Sequence, residues 1–231
     1  MLRIDGIDTF YGTSHILHCL SLEIGDGELV AVLGRNGAGK TTLLRSITGV
    51  APPLNGTIHL DDVDITHLKS HLRARLGISY VPQGRQIIPD LTVEENIFVA
   101  LLGKGQKAGK IPDLAFEYFP ALKTLVKRKG AHLSGGQQQQ LAIARALVQE
   151  PKLLLMDEPT EGLQPSVVEE IDAFLKRLPS ERNCTILIVE QNLDFVRDVT
   201  QRFAILDTGR IVAEGKVEGL SEEFIRMHLQ V

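Results

Sequence analysis

Gly34, Arg35, Asn36, Gly37, Ala38, Gly39, Lys40 and Thr41 form a glycine-rich stretch that closes on a lysine and a hydroxyl. This pattern suits a polyphosphate. Glycines let backbone N–H groups turn inward onto phosphate oxygens, and a helix opening at Lys40 adds the partial positive charge of its N-terminus. Lys40 can reach the β- and γ-phosphates of a nucleoside triphosphate, the Thr41 hydroxyl can ligate Mg²⁺, and Thr42 extends the same surface. A second group follows downstream, where the apolar run Leu153–Met156 ends in Asp157 and Glu158. There Asp157 would hold Mg²⁺ through water and Glu158 would polarise the attacking water. The plain alternative is a strand that ends in a solvated acidic turn. A third group is Leu133, Ser134, Gly135, Gly136 and Gln137. Ser134 can cap the helix that follows, and its hydroxyl and the glycine N–H groups make another anion-binding helix start. One chain thus carries two phosphate-recognition surfaces.

These residues need elements to position them. Leu29–Leu33 reads as a short buried strand, broken by residues 34–39 and followed by a helix over 40–49. Residues 152–157 and 184–189 are two further buried strands. A helix over 165–178 has Pro165 in its first turn, and another helix covers 192–199. Two late strands, 203–206 and 210–214, flank the turn at Thr208 and Gly209. Alternating buried strands and helices predict an α/β fold with a mostly parallel sheet and flanking helices. Residues 84–150 read differently. Helices are expected over 92–102, 112–125 and 136–149, with a basic loop over 103–110, so this stretch is read as a helical subdomain inserted into the core.

At 231 residues the chain predicts one domain, 1–231, carrying that insertion. The net charge of -4 gives no global basic bias toward nucleic acid. Cys19 and Cys184 make no metal or disulfide pattern and are expected to be buried packing residues in a reducing compartment. The histidines lack metal-ligand spacing. No apolar run approaches the roughly 20 residues that span a bilayer, and the N-terminus lacks a signal-peptide layout. The expectation is a cytosolic chain, or one that sits on a membrane only through partners. Lys104, Lys107 and Lys110 could attract anionic headgroups, although a solvated loop suits them better. Lys127, Arg128 and Lys129 read as a solvated face.

The phosphate loop, the signature at 133–137 and the Asp157–Glu158 pair, in this order and spacing, resemble the ATPase subunit of ATP-binding cassette (ABC) transporters. The resemblance covers essentially the whole chain, and implies a phosphate-loop core with an antiparallel β-region. It implies ATP and Mg²⁺ as ligands. It also implies a second ATPase subunit, in a homodimer or heterodimer, packed head to tail so that each ATP lies between one phosphate loop and the other chain's signature. Tyr11 resembles the aromatic that stacks on adenine. Gln83 resembles the glutamine that touches Mg²⁺ and the attacking water. Gln191 stands where many members have a histidine that contacts the γ-phosphate, and Gln164 where many have an aspartate at the dimer interface. Glutamine donates a hydrogen bond but carries no positive charge, which implies slow turnover or a weaker site in a heterodimer.

Residues 161–165, 189–192, 84–86 and 91–96 together resemble the branch that contains the shorter ATPases of bacterial uptake systems for branched-chain amino acids, urea and short-chain amides. Residues 14–17 and Gln137–Gln140 look closer to the urea type. The resemblance places the chain on the cytoplasmic face of the membrane, bound to permease subunits and served indirectly by an external solute-binding protein. The short tail after Glu214 implies that no appended regulatory domain is present. Two rivals remain at this point: a soluble cassette ATPase acting on nucleic acid or ribosomes, and a phosphate-loop kinase. Neither coiled-coil insertions nor tandem cassettes support the first, and the signature at 133–137 argues against the second.

Overall fold

The computed structural model describes residues 2–103 and 111–221. Two long strands come first, β1 (Leu2–Tyr11) and β2 (Ser14–Ile24), and β3 (Leu29–Leu33) leads into α1 (Lys40–Thr48). Next are β4 (Asn55–Leu60), β5 (Val63–Asp64), α2 (Ser70–Arg75) and β6 (Ile78–Val81). The helical stretch follows, with α3 (Val93–Gly103), α4 (Leu114–Glu117), 3₁₀ turns at Pro120–Leu125 and Gly130–His132, and α5 (Gly135–Leu147). Then come β7 (Leu153–Asp157), α6 (Pro165–Arg182), β8 (Thr185–Glu190), α7 (Leu193–Val199), β9 (Arg202–Asp207) and β10 (Arg210–Lys216).

The main sheet has the order β10-β9-β3-β8-β7-β6. Strands β9 to β6 in that order run parallel, and β10 is antiparallel to β9. A second, antiparallel sheet has the order β2-β1-β4-β5. Strand residues alternate between two cores because successive side chains face opposite sides of a sheet. Leu29, Ala31 and Leu33, with Leu154, Met156, Ile186 and Ile188, pack against α3, α5, α6 and α7. Val30 and Val32, with Leu153, Leu155, Leu187 and Val189, pack against α1 and the antiparallel sheet. Burial on both faces is why these strands read as unbroken apolar runs.

Several expectations change in detail. The single helix expected over 112–125 is one turn of α-helix followed by a 3₁₀ segment that starts at Pro120. Proline lacks an N–H and pushes the preceding residue out of helical geometry, and Phe119 duly sits at φ −131° and ψ 70°. The helix expected to end at residue 178 continues through Pro179 to Arg182 and stops at Asn183 in the left-handed region (φ +50°). Cys184 is buried as expected, and burial pushes its thiol up to about 12. Cys19 is not buried: it is exposed at a bulge in β2, with φ +48°. Lys104, Lys107 and Lys110 lie outside the described residues. Lys127 forms a 2.7 Å ion pair with Glu94.

Arg73 is a buried cation, only 1% exposed. Its guanidinium donates to the carbonyls of Leu68 (2.9 Å), Ser46 (2.7 Å), Ile47 (2.8 Å) and Thr66 (2.7 Å). It thereby ties the C-terminal turn of α1 to the segment between β5 and α2. Burial lowers its pKa to about 10, while Asp64 pulls the other way. Arg73→Ala takes the guanidinium from the carbonyls of Ile47, Thr66 and Leu68, while Ser46 keeps the Gly49 N–H, and is expected to cost about 3 kcal/mol. In a domain of this size that lowers Tm by about 6–12 °C, readable by calorimetry of the nucleotide-free protein.

Candidate active site

The site is built where parallel strands end. The ends of β3, β6, β7 and β8 each release one loop on the same edge of the sheet, which is where ligands of such sheets bind. β3 delivers Gly34–Gly39 and then α1, so the phosphate-loop residues leave a strand and open a helix. Gly34 is required by close approach, since a Cβ there would lie 2.5 Å from the Leu206 carbonyl oxygen. Gly39 adopts φ +110° at the head of α1. The loop is braced from below, where Gly209 N–H donates to the Ala38 carbonyl and His18 N–H donates to the Gly209 carbonyl, both at 2.9 Å.

Lys40 is folded back along the loop. Its Nζ donates to the carbonyls of Gly34 (2.8 Å) and Arg35 (3.3 Å) and lies 3.2 Å from Glu158 Oε1. The Thr41 hydroxyl donates to Asp157 Oδ1 at 3.3 Å. Thr42 is buried in the first turn, and its carbonyl accepts the Ser46 hydroxyl at 2.9 Å. Asp157 is also buried, and its Oδ2 accepts the Tyr80 hydroxyl at 3.0 Å. Burial raises the Asp157 carboxyl above its ordinary value. The Thr41 and Tyr80 hydrogen bonds oppose this shift, nearby Glu158 adds to it, and Lys40 opposes it. Burial and the neighbouring Asp157 raise the Tyr80 phenol, which keeps it a proton donor.

That shift has a testable sign. A folded-state pKa above the unfolded value means the folded chain binds more protons in that window, so stability falls as pH rises through it. Above the raised pKa, ionised Asp157 costs the nucleotide-free protein stability. Asp157→Asn is therefore expected to raise the nucleotide-free Tm near neutral pH by a few degrees, at about 2–4 °C per kcal/mol. A lower Tm in a thermal melt would count against this account.

Glu158 is the hub. Its backbone is in the left-handed region (φ +46°), a strained conformation for a residue with a side chain, and its N–H donates to the Val189 carbonyl at 2.9 Å. Gln83 Nε2 donates to Glu158 Oε2 (3.1 Å) and Glu161 Oε2 (3.0 Å). Gln191 Nε2 donates to Glu158 Oε1 (2.6 Å) and Asn36 Oδ1 (2.9 Å). Loops from four different strands thus meet at one carboxylate. Tyr11 ends β1 and is 42% exposed; Arg45 of α1 donates to its hydroxyl at 3.5 Å. A flat aromatic therefore stands open near the helix that follows the phosphate loop. At Tyr11 β1 pairs with β2, at Ser14, and its register with β4 has already ended at Asp8.

The signature is elsewhere. Ser134 caps α5: its hydroxyl accepts from Gln137 N–H at 3.3 Å, and its own N–H donates to Gln137 Oε1 at 3.0 Å. Gly136 is required by α6, since a Cβ there would meet Val167 at 2.6 Å. Gly135 lies against the Arg85 guanidinium. Among the described residues no hydrogen bond joins Ser134–Gln137 to the phosphate loop or Glu158. Gln164 is exposed, just before α6. Sequence reasoning passed over Tyr80, Thr160, Glu161 and Glu190. The available signal for Glu190 was a carboxylate that ends the strand directly after the apolar run Ile186–Val189.

An α/β core with this phosphate loop, this acidic strand end and a separate capped glycine signature defines an ATP-hydrolysing cassette. The family model described as ABC transporter matches residues 17–161, and the chain belongs to that family. It is an ABC transporter ATPase. A high-affinity branched-chain amino acid transport ATP-binding protein of Pseudomonas aeruginosa is 38% identical over 213 residues, covering 92% of this chain and 91% of that protein. A phosphonates import ATP-binding protein of Nostoc sp. is 38% identical over 220 residues, covering 91% of this chain and 89% of that one. A dimeric ATP-binding cassette in a post-hydrolysis state, bound to ADP and Pi, superposes with a TM-score of 0.84 at 30% identity, covering 95% of this chain and 100% of that one. No helix among the described residues is long and apolar enough to cross a membrane.

Proposed function

We propose that this chain is the ATP-driven motor subunit of an importer for branched-chain amino acids or small amides such as urea. The observation that carries the catalytic part is the convergence of Lys40, Gln83 and Gln191 on Glu158. The phosphate loop and Lys40 hold the triphosphate, and Tyr11 stacks on the base. Thr41, Asp157 and Gln83 are the oxygen donors suited to Mg²⁺, which neutralises phosphate charge when bound. Glu158 accepts hydrogen-bond donation from the attacking water and draws off its proton. Gln83 and Gln191 hold the carboxylate in place, and Gln191 donates where a histidine would otherwise stand.

Arg35, Asn36, Gly37, Ala38 and Gly39 supply the remaining phosphate cradle. Ser134, Gly135, Gly136 and Gln137 serve the ATP of a second ATPase chain. That reading is supported by the local capping of Ser134, which among the described residues shares no hydrogen bond with the phosphate loop. Residues 84–150 act as a helical subdomain of a single cassette domain and pass the motion to permease subunits at the cytoplasmic face of the membrane. Support for the solute class comes from the amino acid transport relative and from the sequence patterns around 161–165 and 189–192. The urea preference rests on residues 14–17 and 137–140 alone.

The test is uptake into vesicles that contain the permease subunits co-purified with this chain. ATP-dependent accumulation of labelled leucine or urea supports the proposal, and accumulation of neither, with ATP hydrolysis intact, removes the solute assignment. Co-purification with nucleic acid or ribosomes in place of membrane subunits would remove the transport reading.

A further inference from the structure

Glu190 is the last residue of β8, is 3% exposed, and lies level with Leu33 at the foot of the phosphate loop. Its two carboxylate oxygens divide their partners between two loops. Oε1 accepts the Thr160 N–H at 3.2 Å and the Thr160 hydroxyl at 2.6 Å. Oε2 accepts the Gln191 N–H at 2.8 Å and the Asn192 N–H at 3.1 Å. All four are neutral donors. An ionised carboxylate accepts through both oxygens, whereas an amide of the same shape offers one acceptor and presents its NH₂ to donors.

We infer that Glu190 is a positioning residue for hydrolysis, setting the spacing between Glu158 and Gln191. Thr160 lies two residues beyond Glu158, whose left-handed backbone needs outside support. On the other loop, the clamp on the backbone of Gln191 aims its side-chain amide at Glu158 and Asn36. Glu190 is buried against these two loops and acts through them. The inference rests on the reading of Glu158 as the hydrolytic carboxylate.

The experiment compares steady-state ATPase kinetics of Glu190→Gln, Gln191→Ala and the double variant, in the assembly in which the parental chain hydrolyses ATP. Glu190→Gln is expected to lower kcat about 10- to 100-fold, the scale of an ångström-level misplacement, with KM for ATP within about 2-fold. Because one of the two loops acts through Gln191, the double variant should lose clearly less than the product of the two single losses. An unchanged kcat, a raised KM at full kcat, or multiplied losses would each overturn the inference. Thr160→Val removes only the hydroxyl bond and keeps the test open where Glu190→Gln does not fold. It should slow turnover, and Thr160→Ser should restore it; equal slowing by both would overturn the inference. Glu158→Gln is run alongside. Hydrolysis at the parental rate there removes the Glu158 reading, whereas a silent Glu190→Gln beside an inactive Glu158→Gln removes the Glu190 inference alone.

Discussion

Glu158→Gln should bind Mg-ATP and fail to turn it over. The amide keeps the size of the carboxylate but loses its basicity, so hydrolysis is expected to fall at least about 100-fold, the scale of general-base contributions. Nucleotide binding should survive, because the phosphate loop, Lys40 and Thr41 are untouched. The bound triphosphate then persists, and with it any pairing that needs the γ-phosphate. Size-exclusion chromatography with light scattering on this variant, with and without Mg-ATP, reads both consequences. An ATP-dependent dimer supports the two-surface arrangement and shows that the chain pairs with itself. A monomer that still binds ATP assigns the second surface to a different ATPase chain. Hydrolysis at the parental rate rules Glu158 out as the catalytic carboxylate.

Lys40→Ala is expected to lose affinity for nucleotide. Lys40 is 5% exposed and joins two loop carbonyls to Glu158. Its removal takes a buried cation from the phosphate site and leaves the Glu158 carboxylate beside the incoming phosphates without compensation. Hydrogen bonds to a charged group contribute about 1.5–3 kcal/mol, so Kd for ATP should rise about 10- to 100-fold. Equilibrium titration with a fluorescent ATP analogue measures this directly, and an unchanged Kd would be incompatible with the phosphate-loop reading. The two variants separate binding from chemistry: the first keeps the nucleotide and loses turnover, and the second loses the nucleotide.

What could be read in advance follows the range of the interactions. Residues 34–41 are contiguous, and their chemistry depends on local backbone geometry, a helix start and one lysine. The apolar runs at 29–33 and 153–157 were legible as strands because burial on both sheet faces removes polar residues from both alternations. Helix ends were less legible. Pro120 ended the regular helix where sequence patterning ran on, and α6 runs through Pro179, beyond the end expected at residue 178. The difference is position, since Pro179 sits in the last turn of a long, well-packed helix and disrupts little beyond it. Residues 50–81 were not read as elements, because β4, β5, α2 and β6 are each six residues or fewer and too short to sustain a period.

The sequence by itself determined the kind of chemistry: a phosphate cradle, a strand-end carboxylate pair and a second anion-binding helix start are each local and carry their own physical meaning. Only the tertiary structure decided which groups meet. The order β3-β8-β7-β6 brings Asn36, Gln83, Glu158 and Gln191 together from four loops that are remote in the chain. It also buries Glu190 between two of those loops and lays Tyr80 on Asp157. Strand order is set by how the two cores fill the faces of one sheet, a sum over contacts between distant residues that no local spacing records.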